Sequence, residues 1–314
     1  MEPPFEPPRS ERLWLHWVLL ALTLASTTIV GGCHYLSFQI DFNDAATLAD
    51  GGPRVIGDTF STLHFYVHGL WYSVTILAIL GCHEMGHYVA CIRYGVDVSR
   101  PYFLPAPLPL TGTLGAFIRI RSRIPTKVAL FDIGIAGPIA GFAVAVPALF
   151  IGLYLSRMVK LPDDPSQLME LGEPLLFQFA SWLVWGPVAE GYSINMHPMA
   201  FAAWFGLLAT ALNLFPIGQL DGGHISYAVL GRRSTVVTLV MIAVAVGLTV
   251  RSTSWLAWTI LLLVMLVVMG PHHPRTTDEE VPLDRRRLIL AVVALVMLIV
   301  CFTPAPIEPF LSVQ

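Results

Sequence analysis

The residues of this chain best suited to chemistry are His83, Glu84 and His87, which form the sequence His-Glu-Met-Gly-His. Two histidines at positions i and i+4 of a helix project from one face, so both imidazoles can reach the same metal ion. Glu84 is offset around that helix, where it can act as a base toward a water that the metal polarises. The pattern therefore predicts a metal centre with two imidazole ligands and a neighbouring carboxylate base.

The setting of this motif is apolar. The segment from Leu70 to Leu80, which leads into it, carries no charged side chain. Burying two imidazoles and a carboxylate beside such a segment is costly unless these groups are paired or bind a metal. Of the 314 residues, 55% are hydrophobic and 12% are charged, and the mean hydropathy is +0.68. These values predict an all-α polytopic membrane protein.

About seven apolar segments are predicted to cross the membrane. They span residues 13–31, 65–91, 128–156, 198–219, 235–250, 255–270 and 287–303. With the N-terminus inside, the outer segments hold four of the 18 basic residues: Arg54, Arg157, Lys160 and Arg251. This positive-inside bias predicts a cytoplasmic N-terminus and places the His-Glu-Met-Gly-His end of the second helix toward the cytoplasm. We expect a multi-pass protein of a bacterial inner membrane.

Two further apolar segments do not fit the pattern of simple crossings. Residues 175–185 are too short to span and rich in aromatic side chains, which favours a helix at the outer membrane interface. Residues 101–123 are broken by four prolines and two glycines, so they cannot form a regular helix. Non-helical backbone at membrane depth is tolerated only against protein or a wet cavity. We therefore expect this second segment to pack against the helices.

The candidate for a third metal ligand is Asp221, since a catalytic zinc uses three protein ligands and leaves one position open. It follows the fourth predicted crossing at its cytoplasmic end, which places it at the depth of His87. Pro216 and Gly218 would end the helix and let the following backbone turn a carboxylate inward. An Asp-Gly-Gly sequence in a soluble protein is usually a surface turn, but here its flanks are apolar.

These motifs together resemble the site-2 protease family of intramembrane zinc metalloproteases, peptidase family M50. The resemblance covers residues 65–232: the His-Glu-Met-Gly-His helix, a Gly-x-x-Gly stretch at 112–115, a small-residue segment at 131–138, and Asn-x-x-Pro-x-x-x-Leu-Asp-Gly from 213. No PDZ-like insertion is present, so the chain is similar to the branch without that domain, which includes chloroplast members. We expect a tail, first helix and outer loop over 1–64, a catalytic core over 65–232, and additional helices over 233–314.

The resemblance implies one zinc ion per chain, with His83, His87 and Asp221 as ligands and Glu84 as general base. It implies regulated intramembrane proteolysis, in which a peptide bond is hydrolysed within or near the transmembrane segment of another membrane protein. The expected partners are such substrates and the lipid bilayer, with no nucleic acid. Asn213 matches a position that bonds the substrate backbone or the oxyanion, although the residues alone allow an interhelical hydrogen bond equally well.

Residues 111–120 are predicted to form a strand or hairpin that clamps the substrate beside the zinc. An unwound substrate helix needs partners for its backbone groups, and a strand edge supplies them. Gly112 and Gly115 would let the two backbones approach closely. The alternative for this segment is a plain connecting loop.

Two other functions stay open from the sequence. A metal-ion transporter would also place His and Asp within the membrane, although its polar residues should be staggered through both halves. An inactive relative would keep the fold as a binding module. Among the other histidines, His224 fits either a residue that supports the ligand Asp221 without binding the metal or a purely structural residue. His64, His68 and His197 are predicted to lie far from the metal.

Overall fold

The computed structural model describes residues 11–39, 62–162, 169–269, 276–278 and 280–309. The helices are α1 (Leu13–Gln39), α2 (Leu63–Arg93), α3 (Lys127–Leu155), α4 (Leu175–Trp185), α5 (Pro198–Leu214), α6 (Asp221–Leu230), α7 (Ser234–Arg251), α8 (Trp255–Met269) and α9 (Arg285–Cys301). The strands are β1 (Tyr102–Pro105), β2 (Thr113–Phe117), β3 (Arg157–Lys160), β4 (Met169–Leu171), β5 (Tyr192–Asn195) and β6 (Ile307–Pro309), which pair antiparallel as β1–β2, β3–β5 and β4–β6.

Four helical stretches in the described residues are long and apolar enough to cross a membrane: Leu13–Gln39, Leu63–Arg93, Lys127–Leu155 and the continuous stretch Asp221–Arg251. The seven predicted crossings are therefore not confirmed. Three of them fall on α5, α8 and α9, which have 17, 15 and 17 residues. Spanning a bilayer takes about 20 residues, so these three helices are short for a crossing.

Helix α2 lies at the centre of the bundle and packs against α1, α3 and α5. Small residues allow the close helix contacts. A Cβ on Gly69 would overlap the Thr28 carbonyl of α1, and one on Gly86 would overlap the Ala136 carbonyl of α3. The core around α2 is filled by fully buried side chains that include Tyr72, which is 0% exposed. Packing of this kind holds apolar helices together in lipid, where water provides no hydrophobic driving force.

Contacts across the bundle show which helix ends lie together. Near the start of α1, Glu11 forms an ion pair of 2.8 Å with Arg121, which follows the β1–β2 hairpin. Near the start of α3, the Lys127 N–H donates to Asp278, which precedes α9, over 2.6 Å. Tyr94, just after α2, donates its hydroxyl to Asp132 of α3. The start of α1, the end of α2, and the starts of α3 and α9 thus share one end of the bundle. This arrangement agrees with the relative topology that the sequence predicts. The side of the membrane on which this end lies stays a prediction.

The β1–β2 hairpin is inserted along α1 and α2, and the strand predicted within residues 111–120 is present as β2. Polar side chains of the two helices bind the carbonyl groups near its tip. Ser26 donates to the Gly112 carbonyl over 2.7 Å, His34 Nε2 lies 3.0 Å from the Leu110 carbonyl, and Tyr72 donates to the Thr111 carbonyl over 3.0 Å. These bonds meet the expectation that irregular backbone at membrane depth packs against protein.

The segment at residues 175–185 forms a short helix, as predicted, and Trp182 and Leu183 on it are exposed. Some sequence-based predictions lie outside the described residues. These are the positions of Arg9 and Arg275, which the predicted topology places inside, the outer position of Arg54, and most of the outer loop before α2. His272 and His273, for which the sequence predicts no function, also lie outside the described residues.

Candidate metal centre

The structure brings His83, His87 and Asp221 together inside the bundle. Their ligand atoms all lie within 4.8 Å of one another, and this is the one such group of three or more among the described residues. His83 Nε2 lies 3.2 Å from Asp221 Oδ2, and His87 Nε2 lies 3.2 Å from Asp221 Oδ1. The two Nε2 atoms are 3.1 Å apart. Both histidines are buried.

Two helices, α2 and α6, carry these donors. His83 and His87 are four residues apart on α2, whereas Asp221 is the first residue of α6. Helix α5 ends at Leu214, and the turn that follows it contains Gly218 with a φ of +54°. Because Gly222 and Gly223 have no Cβ, the start of α6 packs directly on the carbonyl groups of that turn. The predicted break of the helix before the aspartate is therefore present.

Glycines of α3 form the surface against which the two imidazoles pack. A Cβ on Gly137 would overlap the His87 ring, and one on Gly141 would lie 3.1 Å from His83 Cβ. Gly134 faces His224 of α6, with 3.0 Å between its added Cβ and His224 Cβ. The sequence alone did not reveal this role, although the spacing of these three glycines along an apolar helix was a signal for it.

Helix α3 also fixes the orientation of the second histidine. His87 Nδ1 lies 2.7 Å from the Ile133 carbonyl oxygen, which can only accept a hydrogen bond. The proton of the neutral ring is therefore held at Nδ1, and the lone pair at Nε2 is directed toward Asp221 and His83. A backbone carbonyl bound to the distal nitrogen is the usual support of a metal-binding histidine.

Glu84 is buried beside the three donors, with 9% of its surface exposed. The backbone N–H of Ile118, just past β2, lies beside its carboxylate and interacts favourably with it. Asn213 approaches from α5, with its Nδ2 3.4 Å from His83 Nε2. The predicted base, the predicted substrate-binding amide and the end of the hairpin strand therefore surround the donor cluster.

The two hairpin glycines occupy backbone conformations that L-residues rarely adopt. Gly112 has a φ of +67°, and a Cβ there would lie 2.9 Å from the Ser26 carbonyl oxygen of α1. Its close backbone approach is thus to α1. Gly115 has a φ of +105°, and an added Cβ would meet nothing within 4 Å. Both positions need glycine for conformation, and a contact of either with substrate stays a prediction.

The donor set fits a zinc ion. Two imidazole nitrogens and one carboxylate oxygen are ligands that catalytic zinc sites use. The three side chains converge from α2 and α6, and the proton position on His87 leaves its Nε2 free to coordinate. His224, on α6, and the predicted non-ligands His64, His68 and His197 are not part of this group of ligand atoms.

Comparison with known proteins gives a consistent result. The model of peptidase family M50 matches residues 71–251. "Probable zinc metalloprotease EGY2, chloroplastic" from Oryza sativa subsp. indica is 30% identical over 256 residues, which cover 80% of this chain and 46% of the relative. The EGY2 protein of Arabidopsis thaliana is 30% identical over 245 residues, covering 77% and 43%. Arabidopsis EGY1 is 32% identical over 229 residues, covering 71% and 41%.

The chain spans less than half the length of these curated relatives. The family match nevertheless includes α6, α7 and α2 from residue 71 onward, and with them every donor of the metal centre and Glu84. It covers more than half of the chain, from residue 71 to residue 251. The chain therefore belongs to peptidase family M50.

Proposed function

We propose that this chain is an intramembrane zinc metalloprotease that hydrolyses a peptide bond within or near the transmembrane segment of another membrane protein. The observation that carries the proposal is the convergence of His83, His87 and Asp221, with Glu84 beside them, inside a bundle whose long helices are apolar enough to cross a membrane. The relatives named as zinc metalloproteases support the same chemistry.

The roles of the residues follow from their positions. A zinc ion held by the three donors would lower the pKa of a coordinated water and polarise the scissile carbonyl. Glu84 takes the proton of the attacking water and passes it to the leaving amine. The Ile118 N–H, which lies beside the carboxylate of Glu84, would favour a position of that carboxylate next to the donors.

Asn213 is proposed to bind the substrate. Its amide lies beside His83 Nε2, but a metal at that nitrogen would use the lone pair that the amide now approaches. The Asn213 N–H is then available for a substrate carbonyl or for the oxyanion, which fixed donors of this kind stabilise. A purely interhelical role would instead make Asn213→Ala reduce thermal stability with no change in kcat.

The edge of the hairpin is proposed to bind the unwound substrate. Neighbouring residues of an antiparallel strand direct their backbone groups to opposite edges. The Arg119 carbonyl accepts from the Ser99 N–H, so it faces the β1 side, whereas the Ile118 N–H faces Glu84. We expect the same alternation within β2, which would direct the backbone groups of Ala116, two residues before Ile118, away from β1. A substrate strand added at this edge would lie next to the metal donors.

The membrane arrangement is proposed as seven crossings, with the short helices α5, α8 and α9 completing the four long stretches. The excess of basic residues near the metal end supports a cytoplasmic facing of that end in a bacterial inner membrane. A cysteine placed at residue 280 in a Cys-depleted chain should react with a membrane-impermeant reagent from the cytoplasmic face. Reaction from the outer face would invert the proposed orientation.

Metal transport is the weaker alternative, since the three donors gather at one depth and a carboxylate base adjoins them. The deciding experiment uses the purified chain in lipid, a single-pass membrane substrate and the Glu84→Gln variant. We expect wild-type cleavage that a chelator abolishes, and a rate at least about 100-fold lower in Glu84→Gln, because the general base is lost. Zinc content of the variant should stay at the wild-type level. Cleavage that persists in Glu84→Gln would refute the mechanism.

A further inference from the structure

The segment that leads into α9 is attached to the beginning of α3. Asp278 accepts a hydrogen bond of 2.6 Å from the Lys127 N–H, in the first turn of α3. Thr277 binds the Pro125 carbonyl through its hydroxyl at 2.6 Å. A carboxylate at a helix N-terminus satisfies an unpaired N–H and interacts favourably with the helix dipole. The chain before α9 therefore holds the first turn of the helix that supports the metal centre.

A second attachment lies one turn further along α3. Arg287 of α9 donates two hydrogen bonds to the Asp132 carboxylate, of 2.8 Å from Nε and 2.6 Å from Nη2. Tyr94, at the end of α2, donates its hydroxyl to the same carboxylate. Burial, together with the hydrogen bond and charge of Asp132, raises the pKa of Tyr94, so the phenol keeps its proton. Asp284 completes the cluster as a second partner of Arg287.

This cluster joins three helices next to the support of His87. Asp132 directly precedes Ile133, whose carbonyl accepts the His87 Nδ1 proton. Tyr94 follows His87 by seven residues, which is about two helical turns, so both residues lie on the same face of α2. Because a helix is stiff over such a distance, fixing Asp132 and Tyr94 fixes the distance between the His87 ring and the Ile133 carbonyl.

We propose that Arg287 is a positioning residue of the metal centre, which locks α3 against α2 through Asp132 and Tyr94 and so keeps His87 Nε2 directed at the metal. This inference rests on the proposed function, because it requires that the donors hold zinc. Helix α9 lies outside the family match at residues 71–251. The proposal gives the C-terminal part of the chain a role in the chemistry of the core.

The geometry suits arginine in particular. A guanidinium presents a planar fork that matches a carboxylate with two parallel hydrogen bonds, whereas lysine offers a point charge. The side chains of Arg287 and Asp132 are 22% and 25% exposed, so water competes with the pair less than at an open surface. Arg286 provides a matched control, since it is the preceding residue of α9 and is exposed.

The test is the rate at which zinc is released from the purified full-length chain to an excess of chelator. Loss of an outer partner of a metal ligand costs about 10- to 100-fold in metal affinity. For Arg287→Gln, one step further from the metal, we expect release about tenfold faster than in the wild type. Arg287→Lys should be intermediate, and Arg286→Gln should release zinc at the wild-type rate.

Two further variants separate positioning from simple stability. Asp132→Asn should match Arg287→Gln, and the double variant should add nothing, because both changes break one linkage. Met297→Ala creates a cavity in α9 at a buried site away from the carboxylate cluster and should lower thermal stability without the same acceleration. If Arg287→Gln and Arg287→Lys both release zinc at the wild-type rate, or if Met297→Ala reproduces the effect, the positioning role is wrong. A wild-type chain that binds no zinc would overturn the proposed function as well.

Discussion

Helix α2 carries two pairs of histidines with the same spacing, and the pairs differ in burial and in the groups around them. His64 and His68 lie in its first two turns, whereas His83 and His87 lie near its other end. His64 is exposed, while both members of the second pair are buried. Among the described residues, a third ligand completes a group within 4.8 Å at the second pair alone. The spacing i and i+4 thus places two imidazoles on one face but does not make a metal site.

Hydrogen bonds explain the difference. His68 Nδ1 binds the His64 carbonyl of its own helix at 2.9 Å, and its ring stacks on Tyr35 at 4.1 Å. His197 lies nearby, where burial, with smaller effects of His68 and Arg157, lowers its pKa to about 4. Its Nδ1 accepts the Met199 N–H, so the proton of the neutral ring sits on Nε2. The histidines at this end are therefore held by local contacts and aromatic packing.

At the metal end, backbone and carboxylate partners of the histidines come from other helices. His87 is oriented by Ile133 of α3, and both Nε2 atoms face Asp221 of α6. The rings of His83 and His87 stand at 73° to each other, as two ligands of one ion can. The comparison teaches that convergence of side chains from several helices, rather than spacing on one helix, distinguishes a metal centre from a pair of surface histidines.

The largest effect is expected from removing each pair of histidines in turn. Replacing His83 and His87 by alanine should weaken zinc binding by more than about 100-fold. Loss of a residue that only supports a ligand already costs about 10- to 100-fold in affinity, and this change removes two ligands. Proteolysis should be lost with the metal. The matched double variant His64→Ala and His68→Ala should keep both zinc and activity. Zinc measured by elemental analysis after desalting compares the two, and equal loss in both variants would contradict the distinction between the pairs.

A smaller effect concerns the strand edge beside the buried pair. Alternation along the strand predicts that the Ala116 N–H points away from β1, so Ala116→Pro should remove that N–H and keep the β1–β2 ladder. We expect cleavage about tenfold slower, because one substrate hydrogen bond is lost in a poorly hydrated place. Zinc content should not change, and Ala116→Val, which keeps the N–H, serves as the control. Equal cleavage by the proline variant and the wild type would leave the hairpin without a role in binding substrate.

Much of the centre was predictable because its signals are local. Short segments of sequence determine both the spacing of His83 and His87 and the helix break before Asp221. The hairpin was predictable because prolines and glycines exclude a regular helix over residues 101–123.

What the sequence did not reveal depends on pairing between distant segments. The glycines of α3 receive the imidazoles only after two helices have packed, and nothing near Asp132 indicates Arg287 as its partner. Four of the seven predicted crossings match long apolar stretches and the other three stay a prediction, because apolar composition does not show where a helix ends. Helices α5 and α9 stop after 17 residues each, since packing and turns in the folded chain decide their ends.

The most direct test of the central claim is the zinc content of the Asp221→Ala variant, measured beside the wild type by elemental analysis. The carboxylate is the one donor of the centre that comes from outside α2, so it defines the site as a convergence of helices. We expect one zinc ion per wild-type chain and a large loss of zinc, together with lost proteolysis, in the variant. Full zinc occupancy in Asp221→Ala would mean that the third ligand lies elsewhere and would contradict the account.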